Sequence, residues 1–520
     1  MRPLNRRELL RRAAALAGLA GSGAASALLA GCTPLKAAPR EPRGVFSLGV
    51  ASGDPLPDGV VLWTRLARDP LYGGGMPEVP LAVDWRLAED PALTVGVRSG
   101  TVPALPGDSH AVHVEVGGLE PERWYWYRFF HDGERSRLGR TRTAPAPGSV
   151  PAEMRFAVAS CQAWHGGYYT AYRHMAAEDL HLVVFLGDYI YEGRISTKGA
   201  RYFPSDTTRT LADYRNRYAL YKLDADLQAA HAAFPWVVTW DDHEVVNNYA
   251  GATDPVYTPE PLFLARRAAA YRAFYEHLPL RAAQRPRGPD LTLYRSVAWG
   301  DLLTLFVLDT RQYRTDQPCA DGVQPLCAGA RDPAATLLGP AQEAWLTGAL
   351  GAATARWSVL AQQVPVMQRA LPRAGGLHYA MDKWDGYRAA RERLFAALAA
   401  RPPGETIVLS GDVHESWVGD LWRDFDRPGS AILGTEFVAT SISSGGDGRD
   451  TKPGTAAILA ANPHIRYYNG QRGYLRCAVT PTDWRADFRT VPYVRAPGGP
   501  VETAASFRVQ RGRPGVVRLG

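Results

Sequence analysis

One feature constrains the fold of this chain more than any other. Four apolar runs are each followed directly by a short segment that contains Asp, Glu, Cys or His. The segments are SCQ at 160–162, GDYIY at 187–191, WDDHE at 240–244 and SGDVHES at 410–416, and each follows an apolar run. Short apolar runs that alternate with helix-like segments indicate buried strands of an α/β sheet. Because ligands bind at the carboxyl ends of such strands, we expect the four segments to meet at one edge of the sheet.

Together these segments predict a metal centre. Three strand ends that each offer a carboxylate or an imidazole, with Cys161 at a fourth, would bury several like charges in one crevice. Such charges repel one another and lose their hydration unless cations compensate them. We therefore expect more than one metal ion in the crevice.

The chain is long enough for two domains. Its 520 residues exceed the size at which a single hydrophobic core keeps growing. Between 45 and 143, short alternating runs separated by Gly, Pro and Asp predict a small antiparallel β-sandwich that resembles a fibronectin type III or immunoglobulin-like module. We predict a linker at 144–151, a metal-binding α/β domain at 152–500 and a C-terminal tail at 501–520. Within the tail, RGR at 511–513 is expected to be solvated, with contact to anionic lipid or cell-wall polymer as the alternative.

The N-terminal segment at 1–32 is predicted to direct export. NRRELL at 5–10 precedes an apolar stretch that glycines interrupt, as in a twin-arginine signal. LAGC at 29–32 ends this stretch like a lipoprotein cleavage box, which predicts a lipid on Cys32 and a linker at 33–44. Ordinary cleavage after 25–27 is the alternative. We expect the mature protein to be periplasmic, anchored to a membrane by lipid, or secreted.

The net charge of the chain does not indicate a nucleic-acid partner. The formal net charge is +7, of which residues 1–31 carry +4, so only +3 remains for the rest. That excess is too small for a nucleic-acid surface.

We expect the protein to be a monomer.

Three other cysteines have separate interpretations. Cys319 and Cys327 lie in an insertion rich in Pro, Gly and Asp, and in an oxidising compartment we predict a local disulfide between them. Cys477 lies in an apolar strand pattern, which predicts a buried and unreactive thiol.

The order of the motifs resembles that of the calcineurin-like metallophosphoesterases, which include the purple acid phosphatases. Cys161 replaces the first Asp of that pattern, Asp242 replaces its Asn, and Asp412 replaces the first His of its last pair. These departures match the alkaline phosphatases of the PhoD type, and the resemblance runs from 46 to about 494. It includes LDTRQYR at 308–314. The resemblance implies a βαβ-rich sandwich of mixed sheets flanked by helices, preceded by a small all-β domain.

The resemblance also implies hydrolysis of phosphate esters with a ferric ion and calcium ions. By position, the expected iron ligands are Cys161, Asp188, Tyr191 and His414. Asp188 would bridge to a second metal, which Asp242 and Asp412 would also bind. Further candidate ligands are Asn248, Gln362 and Gln363.

The chemistry of the two ligand sets agrees with this implication. A thiolate, a phenolate, a carboxylate and an imidazole form an anionic set that suits trivalent iron. A mostly oxygen set favours calcium, with magnesium or manganese as alternatives. Two metals that share a carboxylate can hold phosphoryl oxygens and stabilise the leaving oxygen of an in-line displacement.

Two residues outside the ligand sets are candidates for contact with the substrate. His243 stands where the family has an outer-sphere histidine, which implies contact with the phosphoryl group or the leaving oxygen. Arg311 is either a phosphate clamp or part of a structural ion pair, and the sequence favours neither.

The main functional interpretation is an exported phosphomonoesterase or phosphodiesterase that releases phosphate. A phospholipase-like or teichoic-acid-type diesterase is the runner-up. From a different class, an inert envelope binding protein is the alternative, and the intact metal motifs speak against it.

Overall fold

A computed structural model describes residues 44–520 of the chain. The predicted export signal, Cys32 and the linker at 33–44 up to residue 43 lie outside the described residues. No helix in the described part has both the length and the apolar character needed to cross a membrane.

The largest sheet has ten strands and joins the two ends of the described chain. In spatial order its strands are β25 (Arg513–Leu519), β24 (Glu502–Gln510), β23 (Asp483–Val491), β22 (Arg472–Val479), β9 (Met154–Ala159), β10 (Leu182–Phe185), β11 (Pro235–Val238), β1 (Val50–Leu56), β2 (Gly59–Arg65) and β5 (Ala111–Val116). The central strands β9, β10 and β11 are parallel, and β1 pairs with β11 in parallel. Apart from Arg155 of β9, the side chains of β9, β10 and β11 are apolar, because both faces of these strands are covered.

A second sheet has seven strands and packs against the first. In spatial order its strands are β12 (Arg295–Trp299), β13 (Leu303–Val307), β15 (Trp357–Ala361), β18 (Thr406–Ser410), β20 (Ile432–Val438), β19 (Ser416–Trp422) and β21 (Ile465–Asn469). Val158 and Val184 of the first sheet share one core with Leu305, Val359 and Ile407 of the second. The predicted sandwich of mixed sheets is confirmed.

Helices cover the outer faces of the two sheets. Their bounds are α1 (Thr170–Ala176), α2 (Leu211–Lys222), α3 (Ala225–Ala233), α4 (Glu260–His277), α5 (Gly339–Ala352), α6 (Arg388–Ala399) and α7 (Thr455–Ala461). Helices α1 to α4 pack on the ten-stranded sheet, and α5 and α6 pack on the seven-stranded sheet. A reciprocal pair of hydrogen bonds between Thr210 and Asp213 satisfies backbone donors where α2 begins.

The N-terminal region is all-β, as predicted, but it shares its sheet with the rest of the chain. A five-stranded sheet contains β4 (Arg98–Ala104), β3 (Leu81–Ala88), β6 (Trp124–His131), β7 (Glu134–Arg135) and β8 (Gly139–Arg142). It packs on β1, β2 and β5, which belong to the ten-stranded sheet. The region is therefore not a structurally separate layer. The fibronectin type III or immunoglobulin-like assignment stays a prediction.

A three-stranded sheet lies in the predicted Pro/Gly/Asp-rich insertion and beyond it. Its strands are β14 (Val323–Gln324), β17 (Gly376–Ala380) and β16 (Leu371–Arg373). The predicted disulfide between Cys319 and Cys327 is confirmed, with their Cα atoms 5.6 Å apart. Cys477 is fully buried in β22, also as predicted.

Although the RGR segment at 511–513 is exposed as predicted, residues 501–520 do not form the separate tail that we predict from the sequence. These residues form β24 and β25, which extend the ten-stranded sheet at its edge. Ala505, Phe507 and Val509 alternate along β24 and are buried in the core between the sheets, as expected for one covered face of a strand. Arg511 and Gly512 form the turn between these strands. Gly512 has a φ of +77°, a conformation that glycine adopts readily.

Candidate metal centre

The predicted ligands meet where the carboxyl ends of parallel strands from the two sheets face each other. Cys161 follows β9, Asp188 follows β10, Asp242 follows β11, and Asp412 and His414 follow β18. Ligand-type atoms lie within 4.8 Å of one another in three groups. The groups are Cys161, Asp188 and His414; Asp188, Asp242 and His243; and Asp241, Asp242 and Asp412. Because Asp188 and Asp242 each belong to two groups, the groups form one continuous centre.

Two glycines allow the strand-end loops to approach this closely. A Cβ atom on Gly187, whose φ is +109°, would lie 2.5 Å from the backbone nitrogen of Asp241. A Cβ atom on Gly411 would lie 2.5 Å from Oγ of Ser160. Real Cβ atoms do not approach other atoms so closely, so the glycine of each Gly-Asp motif is a steric requirement of the centre.

Backbone strain is concentrated on the predicted ligands. Cys161, Asp188, Asp412 and His414 have φ values of +59°, +59°, +66° and +58°. Residues with a side chain rarely adopt this left-handed conformation, which costs about 1–3 kcal/mol each and clusters at functional sites. The surrounding loops therefore hold these four side chains in place at an energetic cost.

The first group is organised around the Tyr191 hydroxyl. That oxygen lies 2.9 Å from Oδ2 of Asp188 and 2.9 Å from Nε2 of His414, and Ser444 donates to it at 2.7 Å. Burial, followed by the positive charge of Arg472, lowers the pKa of His414 to about 3, so its imidazole is neutral. A neutral imidazole is the form that binds metals.

Burial raises the pKa of both the Cys161 thiol and the Tyr191 phenol, and the nearby Asp188 carboxylate adds to the effect. Both groups are therefore protonated unless a cation compensates their charge. Metal ligands of these types must be deprotonated, so binding of a cation and ionisation of these groups are coupled.

Several buried carboxylate oxygens of the centre lack a hydrogen-bond donor among the described residues. In the part of the chain that the structure describes, Asp188 Oδ1, Asp241 Oδ2 and Asp242 Oδ1 are buried and accept no hydrogen bond. A buried oxygen without a donor is costly, and bound metal would satisfy it. Burial also raises the pKa of Asp188 and of Asp241, because a carboxylate that has lost its hydration is unstable without a compensating charge. The residues present fit a metal centre.

His243 is held by a residue that the sequence analysis missed. Its Nδ1 lies 2.6 Å from Oε2 of Glu192, and Glu192 also accepts the backbone N–H of Asn247 at 2.9 Å. Burial alone would lower the pKa of His243, but the carboxylates of Asp188, Glu192 and Asp242 raise it well above its usual value. Because Nδ1 is engaged, Nε2 is the nitrogen available for a metal or a substrate. Glu192 directly follows Tyr191 in the sequence, and this adjacency was the available signal.

The surroundings of Arg311 favour the ion-pair interpretation. Its guanidinium is fully buried and donates to Asp241 through Nε and to both oxygens of Asp382 through Nη1 at 2.9 and 2.8 Å. Nη2 lies 3.5 Å from carboxylate oxygens of both Asp242 and Asp412. With four carboxylates around it, the side chain is saturated by protein contacts, and its role as a phosphate clamp stays a prediction.

Asp382 and Lys383 were also missed. Lys383 Nζ lies 2.5 Å from Oδ2 of Asp412 and 3.0 Å from Oδ2 of Asp382, and Arg314 donates to Asp382 at 2.7 Å. The strand before these residues, β17, is short and not an apolar run. The pattern of an apolar run followed by polar residues, which indicated the other segments, is therefore absent here. Lys383 adds fixed positive charge beside Asp412, and Asp382 holds it there.

Two other buried side chains hold the strand-end loops. Glu244 accepts the backbone N–H groups of Asp188 at 3.1 Å and of Asp241 at 2.7 Å, and also that of Tyr189. Arg472 donates to the carbonyl oxygen of His414 and, at 2.7 Å, to that of Gly446. Partners of this kind orient metal ligands.

Asn248 lies at the rim of the centre. Its backbone N–H donates to Oδ2 of Asp242 at 2.7 Å, and its side-chain Nδ2 donates to the two carboxylate oxygens of Asp321 at 2.9 and 2.8 Å. The amide oxygen is thus the atom of this side chain that a cation can use.

The amides of Gln362 and Gln363 make hydrogen bonds within the protein. Gln363 accepts the backbone N–H of Thr310 at 3.1 Å and donates to Oγ1 of Thr239 at 2.9 Å. Gln362 donates to Oγ of Ser410 at 2.6 Å and accepts the indole N–H of Trp384 at 3.3 Å. Because the oxygen and the nitrogen of each amide take part in these bonds, both side chains have a structural role, and their assignment as metal ligands stays a prediction.

Known proteins match the chain over almost its whole length. The family model of the PhoD-like phosphatases matches residues 156–488, and the model of the N-terminal domain of PhoD-like phosphatases matches residues 31–145. Alkaline phosphatase D of Bacillus subtilis (strain 168) is 50% identical over 520 residues, which cover 99% of this chain and 89% of that protein. A solved structure of PhoD is 51% identical, with a TM-score of 0.90, and the match covers 93% of this chain and 94% of the other. The chain therefore belongs to the PhoD-like phosphatase family.

Proposed function

We propose that this protein is an exported phosphatase that hydrolyses phosphate monoesters or diesters with the help of a ferric ion and calcium. As a PhoD-like phosphatase, the protein is a phosphoric ester hydrolase. The identity of the ions, the residues that bind them and the export route are the new parts of the proposal. The observation that carries it is the continuous chain of ligand-type groups through Asp188 and Asp242.

The proposed iron ligands are the side chains of Cys161, Asp188, Tyr191 and His414. Once ionised, the thiolate, the phenolate and the carboxylate carry three negative charges, which a trivalent ion balances. The imidazole of His414 is already neutral. Without such an ion, burial and the nearby Asp188 keep the thiol and the phenol protonated.

The proposed calcium ligands are Asp188, Asp242 and Asp412, with the amide oxygen of Asn248 beside them. All of these ligands are oxygens, and Ca²⁺ accepts six to eight oxygen ligands in flexible geometry. Manganese and magnesium are the alternatives at this position. Lys383 already lies against Asp412, so a divalent ion here shares that carboxylate with a resident ammonium group.

The chain's own groups position the substrate and move a proton. When bound, the metal ions polarise the phosphoryl group and stabilise the charge that develops on its oxygens. Asp188, whose ligand-type atoms belong to two of the groups, would offer a carboxylate to both metal positions. His243, oriented by Glu192, donates a proton from Nε2 to the departing oxygen of the ester.

Purified enzyme is expected to contain iron, and removal of divalent cations with a chelator should lower activity at least about tenfold, because buried carboxylates at the second position lose their compensating charge. Added calcium should restore the rate. The measurement is elemental analysis beside hydrolysis rates on a monoester and a diester, before and after chelation. Active protein that contains only zinc or magnesium would contradict the iron assignment, and full activity of metal-stripped protein would contradict the mechanism.

We also propose that residues 1–32 direct twin-arginine export and that Cys32 carries the lipid anchor, on the sequence evidence alone. Substitution of Cys32 by alanine is expected to move most of the enzyme from the membrane fraction to the soluble fraction, because the thiol is the site of lipid attachment. Cell fractionation with phosphatase assays measures this change. An unchanged membrane fraction would show that another feature anchors the protein.

A further inference from the structure

The loop at 316–327 lies beside the proposed calcium ligands, and the Cys319–Cys327 disulfide closes it. We call it the stapled loop. Cys319 and Ala320 both have a φ of +65°, a conformation that residues with a side chain rarely adopt. Val323 pairs with Ala380 of β17, and the Gly322 carbonyl oxygen accepts the N–H of Met381 at 2.8 Å. The disulfide and these pairings therefore fix a loop conformation that its own residues disfavour.

The stapled loop holds Asn248 from two sides. Both carboxylate oxygens of Asp321 accept from Asn248 Nδ2, at 2.9 and 2.8 Å, and Gln317 Nε2 donates to the Asn248 carbonyl oxygen at 2.8 Å. The backbone N–H of Asn248 in turn donates to Oδ2 of Asp242. Because Asp321 accepts from the amide nitrogen, the amide oxygen is the atom of the Asn248 side chain that is left for a cation.

The same loop also holds the charge network behind Asp412. Gln317 Nε2 donates to Oδ1 of Asp382 at 2.7 Å. Asp382 is the common partner of Arg311 and Lys383, the two cations that reach Asp412. One side chain of the stapled loop thus contacts both Asn248 and the carboxylate that anchors these cations.

We propose that the stapled loop is a positioning element for the divalent-cation position. Asp321 orients the amide of Asn248, Gln317 fixes Asp382, and the disulfide keeps both side chains in place. The proposal rests on the proposed function, since it assumes that Asp242, Asp412 and Asn248 surround the calcium. The proposed iron ligands follow β9, β10 and β18, and the bonds of Asp321 and Gln317 described above do not involve them. The amount of bound iron should therefore not depend on the stapled loop.

The test measures calcium affinity of the full-length, iron-loaded enzyme by calorimetry after calcium has been stripped from it. Asp321→Ala and the double variant Cys319→Ser/Cys327→Ser should bind calcium about 10- to 100-fold more weakly, the range for loss of a partner that orients a ligand. Asp321→Asn keeps one acceptor oxygen and should recover part of the affinity. The matched control is Asp332→Ala, an exposed carboxylate outside the loop that accepts the backbone N–H of Ala334 at 2.9 Å, and it should bind calcium as the parent enzyme does.

Turnover and iron content separate positioning from general stability. At saturating calcium, Asp321→Ala should reach a kcat close to that of the parent enzyme and retain its iron. Unchanged calcium affinity in Asp321→Ala would overturn the proposal, even if the double cysteine variant failed to fold. Loss of iron together with calcium in Asp321→Ala would also overturn it, because the loop would then support the whole fold. A parent enzyme that binds no calcium would instead overturn the proposed function.

Discussion

Replacing Asp188 with asparagine is expected to lower kcat/KM at least about 10³-fold, which corresponds to about 4 kcal/mol of transition-state stabilisation. Asp188 is the residue common to the group with Cys161 and the group with His243, and it is almost completely buried. Asparagine has nearly the same shape but no charge. The variant should therefore fold while it loses much of the metal at both positions.

Elemental analysis, circular dichroism and steady-state kinetics on the same preparation measure this prediction. The matched control is Asp420→Asn, another buried carboxylate, which lies on β19 and pairs with Arg466 at 2.9 Å. The control should keep its metals and most of its activity, whatever stability it loses. If Asp188→Asn retained both metals in full, Asp188 would not be the shared ligand.

Substitution of His243 by alanine is expected to lower kcat about 10²- to 10⁴-fold while both metals stay bound. The imidazole is held by Glu192 at 2.6 Å and lies beside the metal groups, with its ring centroid 4.2 Å from that of Tyr191. We assign to it the proton that the leaving oxygen receives. The loss should therefore be large for an alkyl ester, whose leaving group must be protonated, and much smaller for an ester with an acidic phenol.

Two variants separate this role from metal binding. His414→Ala removes a proposed iron ligand and should release iron, whereas His243→Ala should not. Glu192→Gln keeps the imidazole but weakens its orientation, so it should lower activity by about 10- to 100-fold with the same dependence on leaving group. A His243→Ala enzyme that lost its metals, or that slowed equally on both esters, would contradict the proton-donor role.

The strand ends of the centre could be predicted because two local signals coincide there. An apolar run marks the buried strand, and a Gly-Asp or Asp-His pair directly after it marks the polar edge, as at Gly187 and Gly411. The groups that surround these ligands could not be predicted in the same way. Asp382 and Lys383 follow a short strand of a small sheet, and their contacts with Arg311 and Asp412 exist only after folding.

Residue type alone also left the direction of some side chains open. An amide can bind a metal or complete a backbone hydrogen-bond network, and Gln363 does the second. At the C-terminus, the alternation of Ala505, Phe507 and Val509 is a valid strand signal, but the RGR segment at 511–513 indicates a solvated tail. The burial of one face of β24 decides between these signals.

Strands from distant parts of the chain are neighbours in the ten-stranded sheet, so the sheet should form slowly. Its central strand β9 pairs on one side with β22, from the C-terminal part of the chain, and β11 pairs with β1, from the N-terminal part. Pairings of such high contact order form slowly. A nascent chain that has not yet emerged beyond 479 would expose an apolar edge along β9, and such edges recruit other strands. Aggregation should therefore compete with folding until β22 has been synthesised and has paired with β9.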